Sequence, residues 1–377
     1  MTSGTFFPGR LALQQRVLPA YRAAFVEMLA RACEGGLCVF AGEPLPVEGI
    51  EPAGMLETAQ FTLGRNHHFR DPGSKLYLCW QEGLMSWLKR CQPDGLIVEA
   101  NPRYLSTPRA VRWMRECGKT VLGWGLGAPL LGGISGWLLN WQRKTFLSKL
   151  DGVIAYSQRG AAEYRSLGVP AEKVFVAINA AQPRPVAPPV KRPAQQNEQP
   201  VVLFVGRLQA RKRIDILLQA CAALPSEMRP RLVIVGDGPA RAGLEQLAET
   251  IYPLAEFPGV KFAVELEPFF HRADLFVLPG TGGLALQQAM AYGLPVIAAQ
   301  GDGTQDDLVR AENGWKIPAG DRRALETALK EALSDVPRLR KMGVESYRIV
   351  TQEANLETMV EIFIGVLNRA SPGVFAD

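Results

Sequence analysis

Short apolar runs alternate with amphipathic stretches along most of the chain. In the second half VVLFVG (201–206) is a continuous apolar run, and Ile214, Leu217, Leu218, Cys221 and Leu224 after it recur at helical spacing. The cycle repeats: RLVIVG ends at Gly236, Leu244, Leu247, Ala248 and Ile251 mark a helix, and LFVL (275–278) and PVIAA (295–299) bracket another. The first half has the same rhythm less regularly, with strands predicted at 37–42, 95–100, 120–125, 151–157 and 173–179. Strands apolar on both faces and alternating with helices predict parallel sheets of the doubly wound α/β kind. Residues 182–200 are proline-rich without apolar periodicity, which predicts an extended linker between a domain at 1–181 and one at 201–354. From Asn355 on, Leu356, Met359, Val360, Phe363, Val366 and Leu367 share one helical face and no strand follows, so 355–377 reads as a docking helix.

Composition supports the division. The chain has 377 residues, 47% hydrophobic, which is too much for one core and enough for two. No apolar run reaches the roughly 18 residues that span a bilayer, and Met1 to Gly9 lacks the layout of a signal peptide, so a cytoplasmic protein is expected. The six cysteines form no C-x-x-C pair and there are three histidines, which indicates neither a zinc site nor a disulfide framework. Net charge is +5, and the basic excess lies in the first half. Without a dense Lys/Arg run or an aromatic-basic motif, nucleic acid is not the expected partner; the excess reads as a face for an anionic membrane surface or a phosphate-bearing substrate, or as an ordinary solvated surface. The stretch 132–150 sets Ile134, Trp137, Leu138 and Trp141 on one helical face beside Arg143, Lys144 and Lys149. It reads either as a peripheral contact with the inner face of the membrane or as a core helix of the first domain.

Ligands of open α/β sheets bind beyond the carboxyl ends of the strands, so the residues after each apolar run carry the chemistry. VGRLQARKRID places Gly206 and Arg207 directly after a strand and Lys212 near the next helix. The loop from Gly280 to Gly283 leads into a helix whose first amides, those of Gly282, Gly283 and Leu284, favour an anion. Together these describe a diphosphate cradle. In the first half Glu99, with Asn101 and Arg103, follows a strand and is a candidate catalytic carboxylate, with turn capping as the other reading. His67 and His68 read as surface or packing residues.

The segments VLFVGRLQARKRIDILLQA, LVIVGDGPARAGLEQLA, FFHRADLFVLPG, GLALQQAMAYGLPVIA and NGWKIPAGD resemble, in order and spacing, the retaining glycosyltransferases of family 4 (glycosyl transferases group 1). The first half is similar more weakly, through residues 17–31 and 151–181. The resemblance implies the GT-B fold, two Rossmann-like domains facing across a cleft. It implies a transferase that moves a sugar from a nucleotide diphosphate sugar to a saccharide or lipid-linked acceptor with retention. No metal and no cofactor beyond that donor are expected. In the family, the residues matched by Arg207 and Lys212 bind the donor diphosphate, and the helix N-terminus matched by Gly282 to Leu284 faces it. The family's pair of glutamates falls on Gly280 and Gln288, and its first-domain histidine-glycine pair on Leu126-Gly127. Gln288 keeps an amide oxygen that can accept a ribose hydrogen bond, without the help of charge. The departures leave two other readings open: a non-catalytic binding subunit, and a nucleotide-sugar epimerase of the same architecture.

Overall fold

The computed structural model describes residues 6–371 apart from 72, 75–76, 194–198, 283 and 302. The chain folds as two units, one made of the residues up to Ala181 with those from Leu356 onward, the other of Gln182–Asn355.

The first unit contains β1 (Leu11–Val17), α1 (Ala23–Arg31), β2 (Leu37–Gly42), β3 (Gln60–Phe69), β4 (Leu78–Glu82), α2 (Leu84–Cys91) and β5 (Gly95–Glu99). It continues through α3 (Thr107–Glu116), β6 (Thr120–Gly125), α4 (Gly133–Leu147), β7 (Gly152–Ala155), α5 (Gln158–Ser166) and β8 (Val174–Val176). The strand order is β4-β3-β2-β1-β5-β6-β7-β8. All neighbours are parallel except β3 and β4. The chain runs outward from β1 in one direction and resumes at β5 on the other side, so the topological switch point lies between β1 and β5.

Three of these strands escape the apolar pattern. β1 is central, yet Gln14 and Gln15 interrupt its apolar run, and both are buried. The side chain of Gln14 donates to Gln81 Oε1 on β4, and Gln81 Nε2 donates in turn to the Gln15 carbonyl (3.0 Å) and to Asn66 Oδ1 (3.1 Å). Buried amides satisfied in this way belong in a sheet interior. β3 and β4 form the antiparallel edge, where partial exposure removes the need for a continuous apolar run.

The second unit contains β9 (Val201–Val205), α6 (Ile214–Ala222), β10 (Arg231–Val235), α7 (Arg241–Ile251), β11 (Ala255–Gly259), α8 (Glu267–Arg272) and β12 (Leu275–Leu278). After these come α9 (Leu284–Ala291), β13 (Val296–Ala299), α10 (Thr304–Leu308), β14 (Gly314–Ile317), α11 (Arg322–Ser334) and α12 (Val336–Gln352). Its six strands are parallel, in the order β11-β10-β9-β12-β13-β14. The switch point is between β9 and β12, the strands that precede Arg207 and Gly280.

The proline-rich segment is not free along its length. The Ala187 carbonyl accepts from the Tyr347 hydroxyl at 2.7 Å, and the Pro193 carbonyl accepts from Arg340 Nε at 2.8 Å. Between them Arg192 donates to the carbonyls of Phe270, Ala273, Tyr292 and Gly293 at 2.7–3.1 Å. One guanidinium thus satisfies the orphan carbonyls at the ends of α8 and α9. Burial, helped by the charge of Arg340, lowers its pKa to about 10.

The last helix, α13 (Leu356–Ala370), returns to the first unit. Its apolar face joins that unit's core, where the rings of Phe363, Phe25 and Trp124 meet at centroid distances of 5.1–5.3 Å.

Candidate functional site

In the second unit the loops after β9 and β12 are laced together at the switch point. Lys212 Nζ donates to the Thr281 carbonyl at 2.6 Å and Arg211 Nη1 to the Thr281 hydroxyl at 3.2 Å. The Thr281 amide donates back to the Arg211 carbonyl at 3.2 Å. Gly280 is required by this closeness: a Cβ there would lie 2.6 and 2.7 Å from the carbonyl carbon and Cα of Lys212. The position where the family resemblance calls for a glutamate therefore has no room for any side chain. Gly282 adopts φ +130°, a conformation suited to glycine, and its carbonyl accepts from Gln305 Nε2 at 2.6 Å.

Lys212 is partly buried, and among the described residues no carboxylate pairs with it. Burial, and then the charge of Arg211, lowers its pKa to about 8. A cation held in this way gains from an incoming anion, which would replace the solvation it has lost. Arg207 follows Gly206 directly and is exposed, without a hydrogen bond or ion pair among the described residues. Leu284 opens α9 and is exposed; Gly283 lies outside the described residues. Gln288, one turn further along α9, is partly buried, and its neighbour Gln287 is buried. The structure thus joins Lys212 to the Gly280–Gly282 loop and leaves Arg207 as a free arm on the preceding loop. Arg211 and Gln305 were missed from the sequence. Arg211 is one of three consecutive cations with nothing to single it out, and Gln305 lies far along the chain on a five-residue helix.

Glu99 stands in the first unit, at the carboxyl end of β5. Its Oε1 accepts from the Arg16 amide at the end of β1 at 2.6 Å, across that unit's switch point. Burial pushes its carboxyl above the ordinary range against the opposing pull of the Arg16 amide, the Tyr104 hydroxyl and the charges of Arg16 and Arg22. It lines a hollow of about 220 Å³ with Tyr104, Trp124, Arg143, Tyr156 and Tyr164. Arg22, which the sequence reading passed over, is 4% exposed and lies over the rings of Trp124 (4.6 Å) and Tyr156 (5.3 Å). Its Nη1 is buried without a hydrogen-bond partner among the described residues. Leu126 and Gly127 also line the hollow, so an apolar side chain stands where the resemblance calls for histidine. His67 pairs with Glu82 and His68 with the Tyr77 hydroxyl, each at 2.8 Å, and neither lines this hollow.

α4 carries its apolar residues outward. Trp137 is 68% and Trp141 55% exposed, and Leu130, Leu131, Leu138 and Leu139 near them are exposed as well. Among its described side chains, those of the C-terminal turn, Phe146 and Leu147, enter the core. The reading as a core helix does not hold for these side chains; that of Ile134 lies outside the described residues. No described helix is long and apolar enough to cross a membrane, and no described cluster of His, Cys, Asp or Glu could hold a metal ion.

Comparison with known proteins fits the second unit most closely. Residues 190–348 match the model of the family Glycosyl transferases group 1. A stretch of 125 residues is 38% identical to a GDP-mannose-dependent alpha-mannosyltransferase of Mycobacterium tuberculosis, covering 32% of this chain and 31% of that protein. A stretch of 225 residues is 29% identical to the D-inositol 3-phosphate glycosyltransferase of Thermobispora bispora, covering 53% and 52%. The chain spans about half the length, or less, of the curated relatives it matches. Two solved structures resemble nearly all of it. The Anabaena HepE protein in complex with UDP has a TM-score of 0.66 at 16% identity, over 96% of this chain and 99% of that one. The sucrose-phosphate synthase of Thermosynechococcus elongatus has a TM-score of 0.67 at 21% identity, over 96% and 98%. These likenesses establish the fold as GT-B, two Rossmann-like α/β units with eight- and six-stranded sheets.

Proposed function

We propose that the protein is a retaining glycosyltransferase that binds a nucleotide diphosphate sugar on its second unit and a saccharide or lipid-linked acceptor on its first. The observation that carries the reading is Lys212, a partly buried cation without a carboxylate partner among the described residues, tied to the Gly280–Gly282 loop. A diphosphate beside it would accept from Lys212, from Arg207 and from the amides that open α9, and Gln288 would hold the ribose. During transfer the bond from the anomeric carbon to the diphosphate breaks and a bond to the acceptor oxygen forms on the same face. The acceptor's proton passes to the departing phosphate oxygen. Arg207 and Lys212 stabilise the charge that develops there, the part a divalent metal would otherwise take. Glu99, whose carboxyl is held above the ordinary range, orients the acceptor hydroxyl. The outward apolar residues of α4 beside Arg143 and Lys144 support a peripheral membrane contact through 132–150, as an enzyme of the inner membrane face would need.

The test is transfer from a panel of UDP and GDP sugars in EDTA, with the anomeric configuration of the product read by NMR. Arg207→Ala removes charge-assisted bonds worth about 1.5–3 kcal/mol and should lower kcat/KM about 10- to 150-fold. Near-parental turnover in that variant, or a product of inverted configuration, overturns the proposal. Donor binding without turnover or hydrolysis would instead favour a binding subunit, and conversion of the donor without an acceptor an epimerase.

A further inference from the structure

A second groove adjoins the hollow around Glu99, sharing Asn101, Pro102, Arg103 and Arg143 with it. It is larger, about 630 Å³, and its lining includes three arginines, Arg70, Arg103 and Arg143, and, among the described residues, no carboxylate. Its lining also includes Leu78, Leu131 and Leu139. The groove therefore presents cationic and apolar side chains together.

Arg103 and Arg143 are held but, among the described residues, not paired with a carboxylate. Arg143 Nη1 donates to the Pro129 carbonyl at 2.8 Å, and Arg103 Nε leans on Asn101 Oδ1 at 3.4 Å. Burial and the neighbouring charge of Arg103 both lower the Arg143 pKa, partly offset by Glu163 and Tyr164. Guanidinium groups set side by side bind phosphate through paired N–H donors, and an anion between them relieves their repulsion. The local sequence adds to the field: residues 101–150 contain eight lysines and arginines and a single acid, Glu116.

We propose that this groove takes the phosphorylated end of a lipid-carried acceptor. Its phosphate or diphosphate is gripped by Arg70, Arg103 and Arg143, and its hydrocarbon chain lies against Leu78, Leu131 and Leu139. The assignment rests on the glycosyltransferase reading and narrows its acceptor to one joined to lipid through phosphate. The sugar to be extended would then enter the hollow that Glu99 lines.

The test is calorimetric titration of the full chain with decyl phosphate below its micelle concentration, against decanol and inorganic phosphate. Decyl phosphate should bind at least about tenfold tighter than either partial probe. Arg103→Gln and Arg70→Gln should each weaken it about tenfold, while Arg112→Gln, an exposed α3 residue outside the groove lining, should leave it unchanged. Equal binding of decanol reduces the groove to an apolar patch, and equal binding of inorganic phosphate reduces it to a plain anion site. Either result overturns the proposal, as does full affinity in both groove variants. UDP titrated into the same samples keeps the two readings apart. A parent that binds decyl phosphate but neither UDP nor GDP removes the glycosyltransferase reading and leaves a lipid-phosphate site; the reverse removes only the groove.

Discussion

Replacing Gly280 by alanine should open the site in the second unit. The added Cβ would lie 2.6 and 2.7 Å from backbone atoms of Lys212, where ordinary contact begins near 3.4 Å. Neither these atoms nor the still closer Arg211 carbonyl oxygen is the end of a flexible side chain, so the loops after β9 and β12 must part by about 1 Å, and overpacking of this kind costs about 1–3 kcal/mol. The same movement stretches the 2.6 Å bond from Lys212 to the Thr281 carbonyl, and a hydrogen bond from a charged donor contributes about 1.5–3 kcal/mol when intact. With that bond partly lost, destabilisation of about 2–4 kcal/mol is expected. Scanning calorimetry should show it as a fall in Tm of about 5–10 °C. Titration of whichever of UDP or GDP the parent binds should show an affinity about 10- to 100-fold lower as the cradle loses its geometry. Gly243→Ala provides the control: it lies within α7 with open space around the added methyl, and should stabilise by about 0.5–1 kcal/mol. Gly280→Glu restores the family's carboxylate in name but meets the same backbone, and should bind the nucleotide no better than Gly280→Ala. A Gly280→Ala protein with parental Tm and parental affinity would refute the reasoning.

Lys212 should make nucleotide binding sensitive to pH. With its pKa lowered to about 8, the cation is lost as pH rises through that value, so affinity measured between about pH 7 and 9.5 should fall, and Lys212→Arg should flatten the profile. The stability effect has the opposite sign: between about 8 and 10.5 the unfolded lysine holds the extra proton, so this group makes the fold more stable as pH rises, and Lys212→Met should remove that contribution from urea titrations. Gln288→Ala should weaken the nucleotide by about 0.5–1.5 kcal/mol and Gln288→Glu should match or exceed the parent, whereas parental affinity in the alanine variant would mark Gln288 as a packing residue. Trp137→Ser with Trp141→Ser should abolish salt-sensitive co-sedimentation with anionic vesicles; no sedimentation of the parent at low ionic strength would dismiss the membrane contact.

What could be read from the chain follows from how each element is buried. β9, β10, β12 and β13 are covered on both faces and announce themselves as unbroken apolar runs, so the second sheet was legible except at its margins, β11 and β14. β1 was not, because the buried Gln14 side chain is satisfied by Gln81 and that of Gln15 by the Gln14 carbonyl, partners that become evident only after folding. The proline-rich segment reads as slack chain, since composition reveals nothing of four carbonyls waiting for Arg192. At the site, Lys212 and the glycine loop were legible by their places after strands. The steric reason for Gly280 was not, because it depends on a backbone nearly seventy positions away.

The return of α13 sets an order on the making of the protein. A chain emerging from the ribosome completes the sequence of the second unit at Asn355 before Phe363 exists to meet Phe25 and Trp124. The unit begun first is therefore closed last. Until then its half-built interior carries an uncovered apolar face, and a stop codon just after Asn355 injures the unit made from the earlier residues while leaving the sequence of the adjacent one intact.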